Sequence, residues 1–140
     1  PNQWYHITVV RENGIVKFYR DGIYISESNN NGSITKSALD IGYRTSNSAH
    51  PFNGNIDEVA IWDVALSSAD ITALYNSGFG LNSSVNSGNY DKSADLVGYW
   101  KFNEGNGSTL TDNTSNSNNG SLTDMDPSSD WVMSGFNLVD

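Results

Sequence analysis

A chain of 140 residues is long enough for one domain with its own core, but only 36% is hydrophobic while aromatics reach 11%, so that core must lean on Trp, Tyr and Phe. Sixteen acidic residues against seven basic ones give a formal charge of −9, which excludes a nucleic-acid partner because too few cations exist to neutralise phosphates. The absence of cysteine excludes disulfides and thiolate chemistry, and no apolar run approaches the ~20 residues of a membrane span. Asn, Ser, Gly, Thr and Asp abound, the composition of a loop-rich all-β protein in an extracellular, cell-surface or virion setting. No stretch of these residues reads as a secretory leader, and a start at Pro1 without Met suggests a piece of a longer protein.

In chain order, Trp4 to Val10 reads as a strand with bulk on both faces, as in a central strand. Asn13-Gly14 and Asp21-Gly22 are two-residue hairpin turns, so Ile15 to Arg20 and Ile23 to Ile25 complete a three-stranded meander. Asn29 to Gly32 is a polar loop, Leu39 to Tyr43 a strand, and Thr45 to His50 a loop. A turn at Asn53-Gly54-Asn55 feeds Ile56 to Trp62, a strand carrying two adjacent acids, Asp57 and Glu58, among apolar neighbours. Ser67 with Asp70 three residues on predicts a capping box. Ile71, Leu74 and Tyr75 form one apolar helical stripe, and Gly78 is the expected C-cap.

From Phe79 to Asp95 the chain is Asn, Ser and Gly with little apolar content, which reads as a flexible linker. Leu96 to Phe102 is a strand, and Asn103 to Ser108 a Gly-rich turn. An Asn/Ser-rich loop follows Asp112, and Asn119 to Leu122 starts a short strand. Trp131 to Met133 and Phe136 to Val139 are the last strand candidates.

At these residues the chain resembles a laminin-G-like jelly roll of the concanavalin A-like lectin/glucanase superfamily. The family's C-terminal half is matched at Trp4, His6, Ile7 and Val10, at Tyr19, Asp21 and Gly22, and at Ile41-Gly42. It is matched again at Phe52, Gly54, Ile56 to Val59, Ile61 and Trp62, and at Ala65-Leu66-Ser67. Gly98 to Gly105 is similar to the family's first strand, and Asp112 to Ser121 to a following loop. Ser115 and Ser117 stand there where the family has Gly or small residues. The order is inverted, the end of one module followed by the start of the next. The resemblance implies an all-β antiparallel sandwich, permuted or partial, with one short helix. Residues 1–78 are then a C-terminal half-module, 79–95 a linker, and 96–140 the N-terminal strands, packing with 1–78 as one sandwich. Leu96 to Phe102 should pair with Ile56 to Trp62. If it does not, each strand leaves an apolar edge for partner chains and an oligomer or tandem-module array results.

Candidate sites follow from the same residues. A lone His6 without a nucleophile motif reads as a packed structural histidine, and His50 as a solvated loop residue. Asp57 and Glu58 point to opposite faces if both lie on a strand, so they make no facing acid pair. A glycosidase needs two carboxyls ~5–9.5 Å apart across a sugar. No catalytic residue is therefore assigned. The resemblance implies one structural calcium ion, with Asp112, Asp57 and Asn118 as ligands; the alternative is an Asn/Ser loop held by side-chain-to-backbone bonds. Tyr43, Trp62, Tyr99 and Trp100 are candidate sugar platforms, weighed against their filling the core. The reading is a non-enzymatic adhesion or recognition module that binds a glycan or a surface protein, part of an extracellular or virion surface protein. The alternatives are a structural spacer or decoration domain, and an accessory fragment of a glycoside hydrolase or sialidase.

Overall fold

A computed structural model describes residues 3–33, 38–43 and 51–133 of the chain. The meander forms as the turn chemistry predicts: β1 (Ile7–Glu12), β2 (Ile15–Arg20) and β3 (Ile23–Asn29) make an antiparallel sheet in the order β1-β2-β3. Both turns place their two residues at positive φ, Asn13 and Gly14 at 49° and 77°, Asp21 and Gly22 at 54° and 76°. That is the mirror-image turn whose twist matches the strands it joins. The second turn is also pinned from outside, since Asp21 Oδ1 accepts the His6 amide at 3.0 Å and the Asp21 amide donates to His6 O at 2.8 Å. A bulge between Phe18 and Tyr19 leaves Ile25 without a cross-strand partner.

The expected link between the two halves of the chain is present. β4 (Val59–Trp62) pairs antiparallel with β5 (Leu96–Trp100), Val59 opposite Trp100 and Ala60 opposite Tyr99. A short β6 (Thr109–Leu110) pairs with β7 (Gly120–Ser121), and a bridge from Trp100 to Asp112 ties this piece to β5. Gly98 sits two residues before Trp100 on the same face, and a Cβ there would stand 2.4 Å from the indole. The glycine thus makes the room in which Trp100 lies buried. The architecture is antiparallel sheets with one short helix, a partial β-sandwich.

Helix α1 (Ser68–Tyr75) begins with the predicted capping box: the Asp70 amide donates to Ser67 Oγ at 3.2 Å and the Ser67 amide to Asp70 Oδ2 at 2.8 Å. It ends two residues before the expected Gly78, at Asn76 in the left-handed conformation, whose side-chain amide then donates to Gly80 O. The helix docks on the β2–β3 turn. A Cβ at Gly22 would stand 3.2 Å from the Tyr75 ring and 3.5 Å from Thr72 Cα. Ile71 and Leu74 are buried with Val10, Tyr19, Leu66 and Tyr90 in one core cluster. Because the cap satisfies two backbone donors at once, Ser67→Ala is expected to cost about 1 kcal/mol of stability, read from a urea melt.

Four expectations are corrected. Among the described residues β1 is an edge strand of its sheet, not a central one. Leu39 to Tyr43 forms no strand; Gly42 at φ 80° bends the chain there and its carbonyl accepts the Phe52 amide. The acid-bearing strand starts at Val59, because Glu58 adopts φ 53° and breaks the extended run. Trp131 to Met133 is not a strand, although the Trp131 indole donates to Gly107 O at 2.8 Å. His50 and Phe136 to Val139 lie outside the described residues. The connector 79–95 is no loose tether, for it carries Tyr90 into the core at 1% exposure.

Candidate functional site

A cleft of about 1080 Å³ opens between β1, with the residues leading into it, and the segment running from Phe52 into β4. Part of its lining is polar and aromatic: Gln3, Trp4, Phe52, Asn55, Asp57 and Glu58 are among the residues that border it. Trp4 is 39% exposed and Phe52 60%, so two large rings stand partly in water beside an amide and two carboxylates. The bend at Gly54 lies between Phe52 and Asn55, both of which line the cleft just before the chain enters β4.

The acids are held by the protein. Asp57 Oδ1 accepts the Glu58 amide at 3.0 Å, and Glu58 Oε2 accepts the Tyr99 hydroxyl in a short bond. Glu58's left-handed backbone is a strained conformation for a non-glycine residue, costing on the order of 1–3 kcal/mol, and residues so held cluster at functional sites. Lys101 Nζ lies 5.4 Å over the Tyr99 ring. At the cleft's other wall, burial holds His6 below its ordinary 6.5 against the opposing pull of Asp21, so the imidazole is neutral at pH 7. Its Nδ1 is buried without a hydrogen-bond partner. It is packed, with Tyr75 6.1 Å away between ring centroids, but its side chain is not the fully bonded structural histidine expected. Asp21, Asp57, Glu58 and Asp63 against Arg11 therefore leave the cleft net negative.

The residues singled out as platforms separate. Tyr99 and Trp100 are buried at 0% and 6% exposure and present no face to a sugar, so that assignment is withdrawn for both. They are core because Tyr99 shares a face with Ala60, and Trp100 sends its indole N–H to Asn118 O at 3.0 Å. Trp62 lines the cleft but packs against the core, edge-on to Tyr90 and donating to its hydroxyl at 3.0 Å. Tyr43 is exposed and is not among the cleft residues. Trp4 and Phe52 were missed as ligand contacts because each reads first as the opening residue of a strand; the polar turn just after Phe52 was the available signal.

The calcium set also separates. Asp112 is buried, and each of its oxygens accepts two bonds: Oδ1 from the Tyr99 and Thr114 amides at 3.0 and 2.9 Å, Oδ2 from Thr114 Oγ1 and the Asn118 amide at 2.9 and 2.8 Å. A carboxylate offers about four acceptor positions, so these donors fill it. Asn118 turns its amide nitrogen to Val97 O at 3.0 Å, as Asn116 does at 3.1 Å. Asp57 is engaged with its neighbour's amide, as above. Among the described residues no three His, Cys, Asp or Glu side chains group to hold a metal. Calcium takes 6–8 oxygens, and this donor set does not fit it. The loop held by side-chain-to-backbone bonds describes the geometry. Burial works against the Asp112 charge, but the four bonds outweigh it and hold the carboxyl below its ordinary 3.8.

The profile of the concanavalin A-like lectin/glucanase superfamily, laminin-G type, matches residues 1–72, just over half of the chain. The chain belongs to this family. The match takes in the meander, most of the cleft lining, β4 and most of α1. A solved protein from Bacteroides ovatus ATCC 8483, described as a candidate carbohydrate-binding protein, superposes on 86% of this chain with a TM-score of 0.62. The two are 23% identical, so the likeness is one of fold, and this chain spans 34% of that protein's length. No curated protein matches the chain. No helix among the described residues is long and apolar enough to cross a membrane.

Proposed function

We propose that this laminin-G-like chain is a non-enzymatic recognition module that binds an uncharged glycan in the cleft between β1 and the Phe52–Trp62 segment. The observation that carries the reading is that two partly exposed rings, Trp4 and Phe52, line the same cleft as Asn55, Asp57 and Glu58. Sugars are bound by aromatic faces that take their C–H surfaces and by amides and carboxylates that accept their hydroxyls. The negative cleft disfavours uronates, sialosides and sulfated sugars by like-charge repulsion. The Bacteroides ovatus neighbour supports a carbohydrate ligand by analogy of fold. A non-catalytic role is supported by the two acids themselves, which are sequence neighbours tied to the Glu58 amide and the Tyr99 hydroxyl. The abundance of Asn, Ser and Gly suits a module of a surface protein outside the cell or on a virion.

A glycan array followed by calorimetry tests this. At least one neutral oligosaccharide class is expected to bind, and Trp4→Ala or Phe52→Ala to weaken it about tenfold, ~1.4 kcal/mol. Silence across all neutral glycans, or unchanged affinity in both variants, would overturn the proposal.

A further inference from the structure

The β1-β2-β3 sheet buries one face and leaves the other in water, and along β1 and the residues leading into it that outer face (Tyr5, Ile7, Val9 and Arg11) also borders the cleft described above. Val10 and Tyr19 turn into the core. Register places the opposite face as Ile7 beside Arg20, Val9 beside Phe18, and Ile23 beside Arg20. Those four apolar side chains are between 40% and 67% exposed, and Ile25 at the bulge is exposed as well. Tyr5 extends the row, with the Arg20 guanidinium 5.6 Å from its ring centroid. Together they present on the order of 500 Å² of apolar surface, the size of the largest patch on a typical monomer, ~300–600 Å². With the flanking Arg11, Ser26 and Ser28 the face approaches the ~800 Å² per partner of a standard interface.

Charge says what fits there. Residues 3–33 hold three basic side chains, Arg11, Lys17 and Arg20, and three acidic ones, Glu12, Asp21 and Glu27. The sheet is therefore neutral, and the whole charge of −9 falls on the rest of the chain. Two copies meeting anywhere else bring like charges together, whereas two copies meeting on this face do not. We propose that the outer face of the β1-β2-β3 sheet is an isologous interface on which a second copy of this chain packs, sheet against sheet. Two such faces ~10 Å apart complete a two-layer sandwich, with Ile7, Val9, Phe18 and Ile23 of each copy interdigitating in its middle. The arginines lie at the margin, their stems over the apolar rows and their heads in water.

Light scattering and sedimentation of the 140-residue chain across the micromolar range test the proposal. A mass of twice 15.2 kDa is expected, with association strengthened by added salt because the acidic remainders of the two copies repel. Val9→Lys and Ile23→Lys each place two like charges in the shared layer and are expected to give the 15.2 kDa species. Ile7→Thr keeps a β-branched side chain and is expected to weaken the dimer at least tenfold with an unchanged circular dichroism spectrum. A wild-type chain of monomer mass throughout, or dimers that persist in Ile7→Thr and in the folded Lys variants, would overturn the interface.

Discussion

Replacing Asp112 by Ala is expected to lower stability by about 3 kcal/mol, because it strands the buried Tyr99 amide together with the part-buried Thr114 amide, Thr114 hydroxyl and Asn118 amide that the carboxylate accepts. The loop from Asp112 to Gly120 is stitched to β5 through this one carboxylate, through the two asparagine amides on Val97 O, and through Trp100 to Asn118 O. Without the carboxylate the loop loses its centre, and Trp100 loses the backbone that receives its N–H. A melting temperature about 10 °C lower is the expected readout. Asp112→Asn keeps the shape but turns one acceptor into a donor against the amides, so it should cost nearly as much. A shift under about 2 °C in both variants would show that the clamp is dispensable.

The same residue sets an acid limit. The folded Asp112 carboxyl titrates below 3.8, so its contribution is complete above that value and is lost as pH falls through the lower folded value. His6 acts in a higher window with the same sign. Its folded imidazole titrates below 6.5, so the folded state resists a proton that the unfolded chain accepts, and stability declines as pH drops below 6.5. Melting temperature is expected to fall in two stages on acidification. His6→Gln should remove the upper stage and Asp112→Asn the lower.

Tyr90→Ala is expected to cost about 3–5 kcal/mol, as large as the loss of any core aromatic. The ring is 1% exposed and packs edge-on to Trp62 at 6.4 Å between centroids. Its hydroxyl donates to Ser83 O at 2.6 Å while accepting the Trp62 indole N–H at 3.0 Å. Burial accordingly pushes the phenol above its ordinary 10.0, against the lowering effect of the Trp62 bond. Tyr90→Phe keeps the ring and removes only the hydroxyl, so it isolates the two bonds at about 1–2 kcal/mol. If Tyr90→Ala unfolds no more easily than wild type, the connector is the free tether its composition suggests.

The sequence was legible wherever the cause is local. Asn-Gly and Asp-Gly specify their turns through positive φ, and Ser67 with Asp70 specifies the helix start through two hydrogen bonds inside four residues. The pairing of the acid-bearing strand with the Tyr-Trp strand was legible only through the resemblance, since 33 residues separate Trp62 from Leu96 and no local signal marks the register. The cleft was half legible. Its acids stood out, but the platforms chosen were the aromatics of the strand cores, and burial of Tyr99 and Trp100 depends on a partner strand and a loop far away in sequence. The connector misled because a few apolar residues (Phe79, Leu81, Val85 and Tyr90) among small and polar ones barely move an average, yet one of them, Tyr90, decides whether the segment is anchored.

By itself, then, the sequence determined the meander, the capped helix, the acidic surface and the family, because turn geometry, capping and net charge are properties of a few adjacent residues or of a sum. Tertiary structure alone decided which aromatics are core and which face water, that Asp112 accepts three amides and a hydroxyl, and that one sheet face lies uncovered among the described residues. Those outcomes turn on which distant groups meet, and the enthalpy of a hydrogen bond or the burial of a ring exists only once they have met.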